Sequence, residues 1–225
     1  MLEVRNCSLS IGARTLIDRQ SMRIRPGELA GLVAPNGSGK TTFMRFLTGA
    51  GGAHVTGEVL VDGKAPRSES EYRRSVFYVP GDASILYPLL TVRENLLMAH
   101  RCWGGRRDLD KVADACRIRD FLDKKVCRLS LGMKQQATPA AGYITGARYL
   151  LLDEPMNALD PTNLKVNSDI IRGLCDSGTG ALMSSHILGN TDDLADYVLF
   201  IKDGAFVSCV DEIADTETEY RRLFG

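Results

Sequence analysis

The sequence predicts an α/β protein whose sheet is mostly parallel. Short apolar runs at 28–33, 149–152 and 181–184 have the length and composition typical of buried strands. Segments with helical spacing at 41–47 and 162–175 alternate with these runs. Strands that alternate with helices indicate parallel pairing through crossover helices.

The other elements follow along the chain in the same way. Strand signals occur at 2–4, 57–61 and 75–79, helical spacing at 92–100, 110–116, 118–122 and 211–223, and a hairpin pattern at 198–201 with 205–209. The stretch 87–141 is mainly helical, so we interpret it as a helical insertion lobe. A chain of 225 residues suits one large domain, and we expect a single domain over 1–225 with its core at 1–86 and 142–225.

The composition excludes several classes of protein. The chain has 28 Lys+Arg and 28 Asp+Glu, so it has no overall basic field for nucleic acid or an anionic membrane. It has no run of about 18 apolar residues that could span a bilayer, and its N-terminus lacks a signal pattern. We expect a cytoplasmic protein whose six scattered cysteines are free thiols that bind no metal.

A glycine-rich loop between the strand at 28–33 and the helix at 41–47 is the strongest local signal. Residues 34–42 read APNGSGKTT, a pattern that cradles phosphate when it joins a strand to a helix. We expect Lys40 to reach the terminal phosphates and Thr41 to offer its hydroxyl to Mg²⁺. The alternative is a glycine-rich turn before an ordinary helix. The predicted phosphate-binding residues are Asn36, Gly37, Ser38, Gly39, Lys40, Thr41 and Thr42.

A second apolar strand ends in two carboxylates. Residues 149–155 read YLLLDEP, and two acids at a strand end are costly to leave unpaired. A nucleotide's Mg²⁺ would account for Asp153, and Glu154 would then act as general base toward the attacking water. The alternative is a pair of surface acids after a core strand.

Further motifs follow in a fixed order. They are YPLLTVREN at 87–95, LSLGMKQ at 129–135, NALD at 157–160 and SSH at 184–186. With the phosphate loop and the acidic strand, they make the whole chain resemble the ATP-binding cassette ATPases, the nucleotide-binding subunits of ABC transporters, and bacterial exporter cassettes in particular. The resemblance implies a P-loop NTPase core with a mostly parallel sheet, an N-terminal antiparallel β subdomain and the helical lobe.

The resemblance also implies a mechanism. Two cassettes would meet head to tail and hold two ATP molecules between them, each between one chain's phosphate loop and the other chain's signature motif. Ser130 would donate its hydroxyl to the γ-phosphate and Gly132 would allow close approach. His186 would contact the γ-phosphate and link it to Glu154 and to Asp160 of the partner subunit.

Four positions depart from the family pattern. Ile11 stands where an aromatic residue usually stacks on adenine, so it gives apolar contact without a π-face. Gly81 replaces the Q-loop glutamine, and Asp82 is a candidate substitute for it. Leu131 replaces the first signature glycine, and Pro139 lies within the signature helix, where it removes one hydrogen bond and favours a kink. These changes bear on turnover more than on ATP binding.

The expected function is that of an ATP-hydrolysing subunit which energises a separate membrane permease. The resemblance favours an exporter, and an importer stays open. The subunit would be peripheral, at the cytoplasmic face of the membrane, and would reach the membrane only through the permease. Arg93, Glu94 and the surface at 82–90 would receive that permease. A homodimer and a pairing with a different cassette chain are both open. The alternatives are a partly degenerate cassette that binds ATP with slow or no hydrolysis, and a non-transport cassette that acts on nucleic acid or the ribosome.

Overall fold

The computed structural model describes residues 1–49, 54–65, 70–105, 107–157, 159–185, 188–209 and 216–225, with backbone only for 73, 188–190 and 208–209. The strands are β1 (Leu2–Ile11), β2 (Arg14–Ile24), β3 (Leu29–Val33), β4 (His54–Val61), β5 (Val76–Val79), β6 (Tyr149–Asp153), β7 (Gly180–Ser184), β8 (Tyr197–Lys202) and β9 (Ala205–Cys209). The α-helices are α1 (Lys40–Leu47), α2 (Ser70–Ser75), α3 (Val92–Trp103), α4 (Leu109–Ala115), α5 (Leu131–Tyr143), α6 (Pro161–Asp176), α7 (Leu188–Leu194) and α8 (Thr216–Phe224). Across these ranges, no helix combines the length and apolar character needed to cross a bilayer.

The main sheet has the strand order β5-β6-β7-β3-β8-β9. Every pair in it is parallel except β8 with β9, which form an antiparallel hairpin. The parallel strands therefore end at one common edge, which brings the residues after β3, β5, β6 and β7 together. A separate antiparallel sheet of order β2-β1-β4 comes from the N-terminal part of the chain. The predicted α/β class, its mostly parallel sheet and the N-terminal antiparallel sheet are confirmed.

Two buried apolar clusters cover the two faces of the main sheet. One joins Val79, Leu152 and Met183 to the buried residues of α3, α4 and α5. The other packs α1 and the antiparallel sheet against the opposite face. The helical lobe thus shares one continuous core with the sheet. Its contact is close at Gly142 of α5, where an added Cβ would lie 2.5 Å from Cγ2 of Val79.

Three local predictions differ from the structure, at β2, at Ser75 and at 118–122. Strand β2 was not predicted because its buried residues Leu16 and Ile17 are adjacent, which breaks the alternation of buried and exposed positions expected of a strand. Ser75 ends α2 rather than starting β5, and the predicted helix at 118–122 is a single 3₁₀ turn, Arg119–Phe121. Pro139 lies inside helix α5, as expected, and is buried there. Helix α8 begins at Thr216, and the predicted helical residues 211–215 lie outside the described part.

Candidate active site

The loop between β3 and α1 adopts a conformation that only glycine tolerates easily. Gly37 and Gly39 have φ angles of 77° and 101°, in the left-handed region that glycine enters at little cost. An added Cβ at Gly39 would also lie 2.8 Å from Cδ1 of Leu16 on β2. The glycine therefore sets the turn and lets the loop pack directly on the antiparallel sheet.

This loop forms the floor of a cavity of about 420 Å³. The structure brings together in it most of the predicted site residues, with three residues of the N-terminal hairpin. The lining residues are Ile11, Arg14, Leu16, Asn36, Gly37, Ser38, Gly39, Lys40, Thr41, Thr42, Asp153 and Glu154. Two residues in this list, Arg14 and Leu16, were not predicted, because they belong to the strand that sequence reasoning missed.

Lys40 places a buried cation beside two carboxylates. Its side chain donates from Nζ to the backbone oxygen of Ala34 at 2.7 Å, and only 7% of the residue is exposed. Burial lowers the pKa of Lys40, and the negative charges of Glu154 and Asp153 oppose that shift. The ammonium thus lies at the cavity floor near the N-terminus of α1, whose backbone N–H groups add positive potential.

Asp153 is held by three hydroxyl groups. Its Oδ2 accepts hydrogen bonds from Thr41 Oγ1 at 2.6 Å and from the Tyr78 hydroxyl at 2.8 Å. Its Oδ1 accepts from Ser184 Oγ at 2.7 Å. Burial raises the pKa of Tyr78 well above its usual value, and the hydrogen bond to Asp153 adds to the shift. Because β5 and β7 flank β6 in the sheet, they supply two of these donors, and Thr41 of α1 supplies the third.

Glu154 follows in a strained backbone conformation. Its φ is 51°, in the left-handed region that a residue with a Cβ rarely adopts. Its N–H donates to Ser184 Oγ at 3.0 Å, so one hydroxyl serves both residues of the acidic pair. This conformation ends β6 abruptly and places Glu154 in the wall of the cavity, opposite the phosphate loop.

The groups around the cavity fit a magnesium nucleotide. Ser38 Oγ is buried with no hydrogen-bond partner among the described residues, so it is open to a hydrogen bond with a bound phosphate or an ordered water. The Thr41 hydroxyl and the Asp153 carboxylate supply hard oxygen atoms, which are the ligands that Mg²⁺ prefers. Lys40 and the loop N–H groups provide the matching cationic and donor surface for phosphate.

Ser130, Gly132 and Asp160 lie outside this cavity. Ser130 is the N-cap of α5, where its Oγ accepts from the Met133 N–H at 3.3 Å. Gly132 has open space where a Cβ would be. Asp160 is the N-cap of α6, and hydrogen bonds from the backbone N–H groups of this helix's first turn help to lower its pKa. His186 lies outside the described residues, and so does Ala158, which belongs to the NALD motif.

A protein-family model described as ABC transporter matches residues 17–157. This chain belongs to that family of ATP-binding cassettes. It is 31% identical over 213 residues to the lantibiotic transport ATP-binding protein SrtF of Streptococcus pyogenes, covering 92% of this chain and 89% of that protein. It is 33% identical to the Nod factor export ATP-binding protein I of Paraburkholderia xenovorans, covering 87% and 66%. It is 31% identical to a ribose import ATP-binding protein of Burkholderia cenocepacia, covering 94% and 44%.

Solved cassette structures share the fold. One, described as the ATP-binding subunit of an ABC transporter, has a TM-score of 0.92 at 24% identity and covers 100% of both chains. Another, a dimeric post-hydrolysis cassette bound to ADP and Pi, has a TM-score of 0.79 at 21% identity, covering 94% of this chain and 99% of that one. The family model and the relatives confirm the resemblance predicted from the motifs, and this chain is an ATP-binding protein of the ABC transporter family.

The missing glutamine of the cassette has a structural correlate at Gly81. An added Cβ there would lie 2.8 Å from the backbone oxygen of Asp153 and 3.3 Å from Cβ of Glu154. The Gly81 oxygen accepts from Gln135 Nε2 at 3.3 Å, which links α5 to the loop after β5. Asp82, the candidate substitute, instead accepts from the Ser84 N–H at 2.9 Å, and hydrogen bonds from Ser84 lower its pKa.

The cassette has a second, larger cavity of about 720 Å³ between β5 and α3. Its walls include Leu86, Met98 and Trp103 together with the partly exposed Tyr87. Leu89, just beyond Tyr87, is 74% exposed, and Tyr87 is 58% exposed.

Arg93 and Glu94 do not line this second cavity. Arg93 forms an ion pair with Asp123 at 2.7 Å, and Glu94 completes a capping box with Thr91. Both side chains are thus engaged within the helical lobe.

Proposed function

We propose that this cassette binds Mg-ATP in the smaller cavity and hydrolyses it to ADP and phosphate. The observation that carries the proposal is the convergence of Lys40, the Thr41–Asp153 pair and Glu154 on one cavity. Phosphoryl transfer to water depends on positioning and on charge stabilisation. These groups supply a cation for the phosphates, oxygen ligands for Mg²⁺ and a carboxylate for the attacking water.

Each residue has a distinct part in this proposal. Lys40 and the loop N–H groups bind the β- and γ-phosphates. Thr41 and Asp153 hold Mg²⁺, which when bound neutralises charge on the phosphate oxygens. Glu154 accepts the proton of the attacking water at its carboxylate. Its strained backbone supports this role, because strain of this kind is maintained where the surrounding structure fixes a functional geometry.

The positions of Ser130, Gly132 and Asp160 support a head-to-tail dimer. They lie at the N-termini of α5 and α6, outside the cavity of their own chain. We infer that they complete the cavity of a second cassette, where the start of α5 directs N–H groups at the γ-phosphate. His186 is assigned to the same γ-phosphate by resemblance alone. A homodimer is the simplest such assembly, and pairing with a different cassette chain is the alternative.

The larger cavity is the proposed contact with a separate membrane permease. It combines an apolar lining, which includes the exposed Tyr87, with the exposed Leu89 two residues further along the chain, and apolar patches of this kind mark interaction sites. In this proposal the cassette is peripheral, at the cytoplasmic face of the membrane, and reaches the membrane only through the permease. Relatives include export and import proteins, and we propose an exporter from the resemblance of the signature and NALD motifs.

Steady-state hydrolysis and equilibrium binding test the proposed activity together. Lys40→Ala should abolish both ATP binding and phosphate release. Glu154→Gln should keep ATP binding and lose hydrolysis by at least about a hundredfold. Lys165→Ala, an exposed lysine on α6, is the matched control and should change neither. Hydrolysis that survives Glu154→Gln at the wild-type rate would contradict the assignment of the base.

The departures at Gly81 and Leu131 favour one second candidate, a cassette that binds ATP and scarcely hydrolyses it. Leu131 is 66% exposed at the start of α5, where the family has glycine, and Gly81 has no side chain to reach the metal or the water. A negligible rate in the assembled transporter, unchanged by Glu154→Gln, would identify this candidate.

A further inference from the structure

One wall of the smaller cavity is built by the β1–β2 hairpin, next to the phosphate loop. Ile11 and Arg14 are direct cross-strand partners on either side of a two-residue turn. Partners in an antiparallel pair have Cβ atoms about 5 Å apart and project from the same face. Both line the cavity, so the hairpin tip offers it one aliphatic chain and one guanidinium side by side.

Leu16 fixes the position of this tip relative to the phosphate loop. It is buried, and it lies so close to Gly39 that a Cβ there would be 2.8 Å away. Arg14 precedes Leu16 by two residues, at the start of β2, which corresponds to about 7 Å of strand. A nucleotide whose phosphates lie at Lys40 would extend its ribose and base along this wall, toward Ile11 and Arg14.

The two tip residues are prepared for a ligand rather than for the protein's own interior. Ile11 is 52% exposed, among the large hydrophobic residues that the described structure leaves in solvent. Arg14 is exposed as well, and within the described ranges its side chain makes no hydrogen bond or ion pair. An exposed aliphatic surface beside an unpaired planar cation matches a flat, aromatic ligand group.

We propose that Arg14 stacks its guanidinium plane on the nucleotide base, which rests against Ile11, and so replaces the aromatic platform that the cassette lacks. This inference rests on the proposed function of the same cavity. Guanidinium planes stack on bases and cations are attracted to aromatic faces. Because every base has a π-face, such a contact does not read the edges of the base. The site therefore binds adenine and guanine nucleotides with similar affinity.

Displacement of a fluorescent ATP analogue from the full chain tests the proposal with ATP, GTP and tripolyphosphate as competitors. Arg14→Ala should lower the affinity for ATP and for GTP by about fivefold. It should lower the affinity for tripolyphosphate by less than about twofold. Arg14→Lys keeps the charge without the plane and should not restore wild-type affinity. Ile11→Tyr adds an aromatic face to the same wall, so it should raise the affinity for ATP and GTP and leave the affinity for tripolyphosphate unchanged. Arg23→Ala, an exposed arginine elsewhere on β2, is the control and should leave all three ligands unchanged.

Other results would overturn either this inference or the proposed function. If Arg14→Ala lowered the affinity for all three ligands equally, the guanidinium would contact phosphate and not the base. If it lowered the affinity for none of them, the base contact would also be overturned. A wild-type preference above about tenfold for one purine would indicate hydrogen bonds to the base edge and would also overturn it. If Lys40→Ala bound nucleotide with wild-type affinity, the proposed function itself would be overturned.

Discussion

A side chain at Gly81 is predicted to destabilise the cassette, although the family usually has glutamine there. The built Cβ would lie 2.8 Å from the backbone oxygen of Asp153 and 3.3 Å from Cβ of Glu154. The nearer atom belongs to the backbone of β6, which is paired on both sides in the sheet and cannot move aside alone. Overpacking against such a site costs about 1–3 kcal/mol. Gly81→Ala should lose stability of this size, and Gly81→Gln at least as much.

Urea denaturation of the full chain measures this effect through the transition midpoint at constant slope. Gly173→Ala is the matched control, because Gly173 lies within α6 with open space where the Cβ would be. There the same substitution should be neutral or stabilise by up to about 1 kcal/mol. Gly81→Ala should therefore lower the midpoint, whereas Gly173→Ala should leave it unchanged or raise it. A Gly81→Gln variant as stable as the wild type and faster in ATP hydrolysis would show that the space beside Asp153 admits a side chain.

Three further predictions concern other parts of the structure. Tyr78→Phe removes one hydrogen-bond donor from Asp153 and should lower the free energy of unfolding by about 1.5 kcal/mol. It should also raise the Mg²⁺ concentration for half-maximal ATP binding by about tenfold. An unchanged Mg²⁺ dependence would argue against a positioning role for Tyr78. The double substitution Tyr87→Ala and Leu89→Ala should release the cassette from permease-containing membranes while leaving ATP binding intact, and retained association in a flotation assay would exclude this surface. Burial raises the thiol pKa of Cys7, Cys116 and Cys175 to about 11 or 12. At about pH 8 these cysteines should therefore react with a thiol reagent only on unfolding. Rapid labelling of any of them in the native state, mapped by mass spectrometry, would contradict the packing.

Local sequence signals predicted the fold class because the buried strands carry them. Strands β3, β6 and β7 are buried throughout and apolar except for Asp153 and Ser184 at their ends, as expected for strands covered on both faces. The phosphate loop and the acidic strand could also be placed, because each follows such a run directly. Their proximity then follows from parallel pairing, which brings strand ends to one edge of the sheet.

Contacts that depend on tertiary packing could not be predicted in the same way. Tyr78 and Ser184 reach Asp153 only because β5, β6 and β7 are adjacent, and strand order cannot be read from periodicity. Arg14 was missed because β2 shows no clear apolar alternation. The close approach of Gly81 to the backbone of Asp153 depends on the path of a loop, which no local pattern records.

In the proposed dimer, two cassettes share ATP between the phosphate loop of one and the start of α5 of the other. Sedimentation of Glu154→Gln with and without Mg-ATP tests this arrangement, because the variant should bind ATP without hydrolysing it. We expect a monomer that becomes a dimer only with Mg-ATP, and a return to monomer when Ser130→Tyr is added to block the contact. A chain that binds ATP yet stays monomeric at every protein concentration would contradict the shared site in a homodimer.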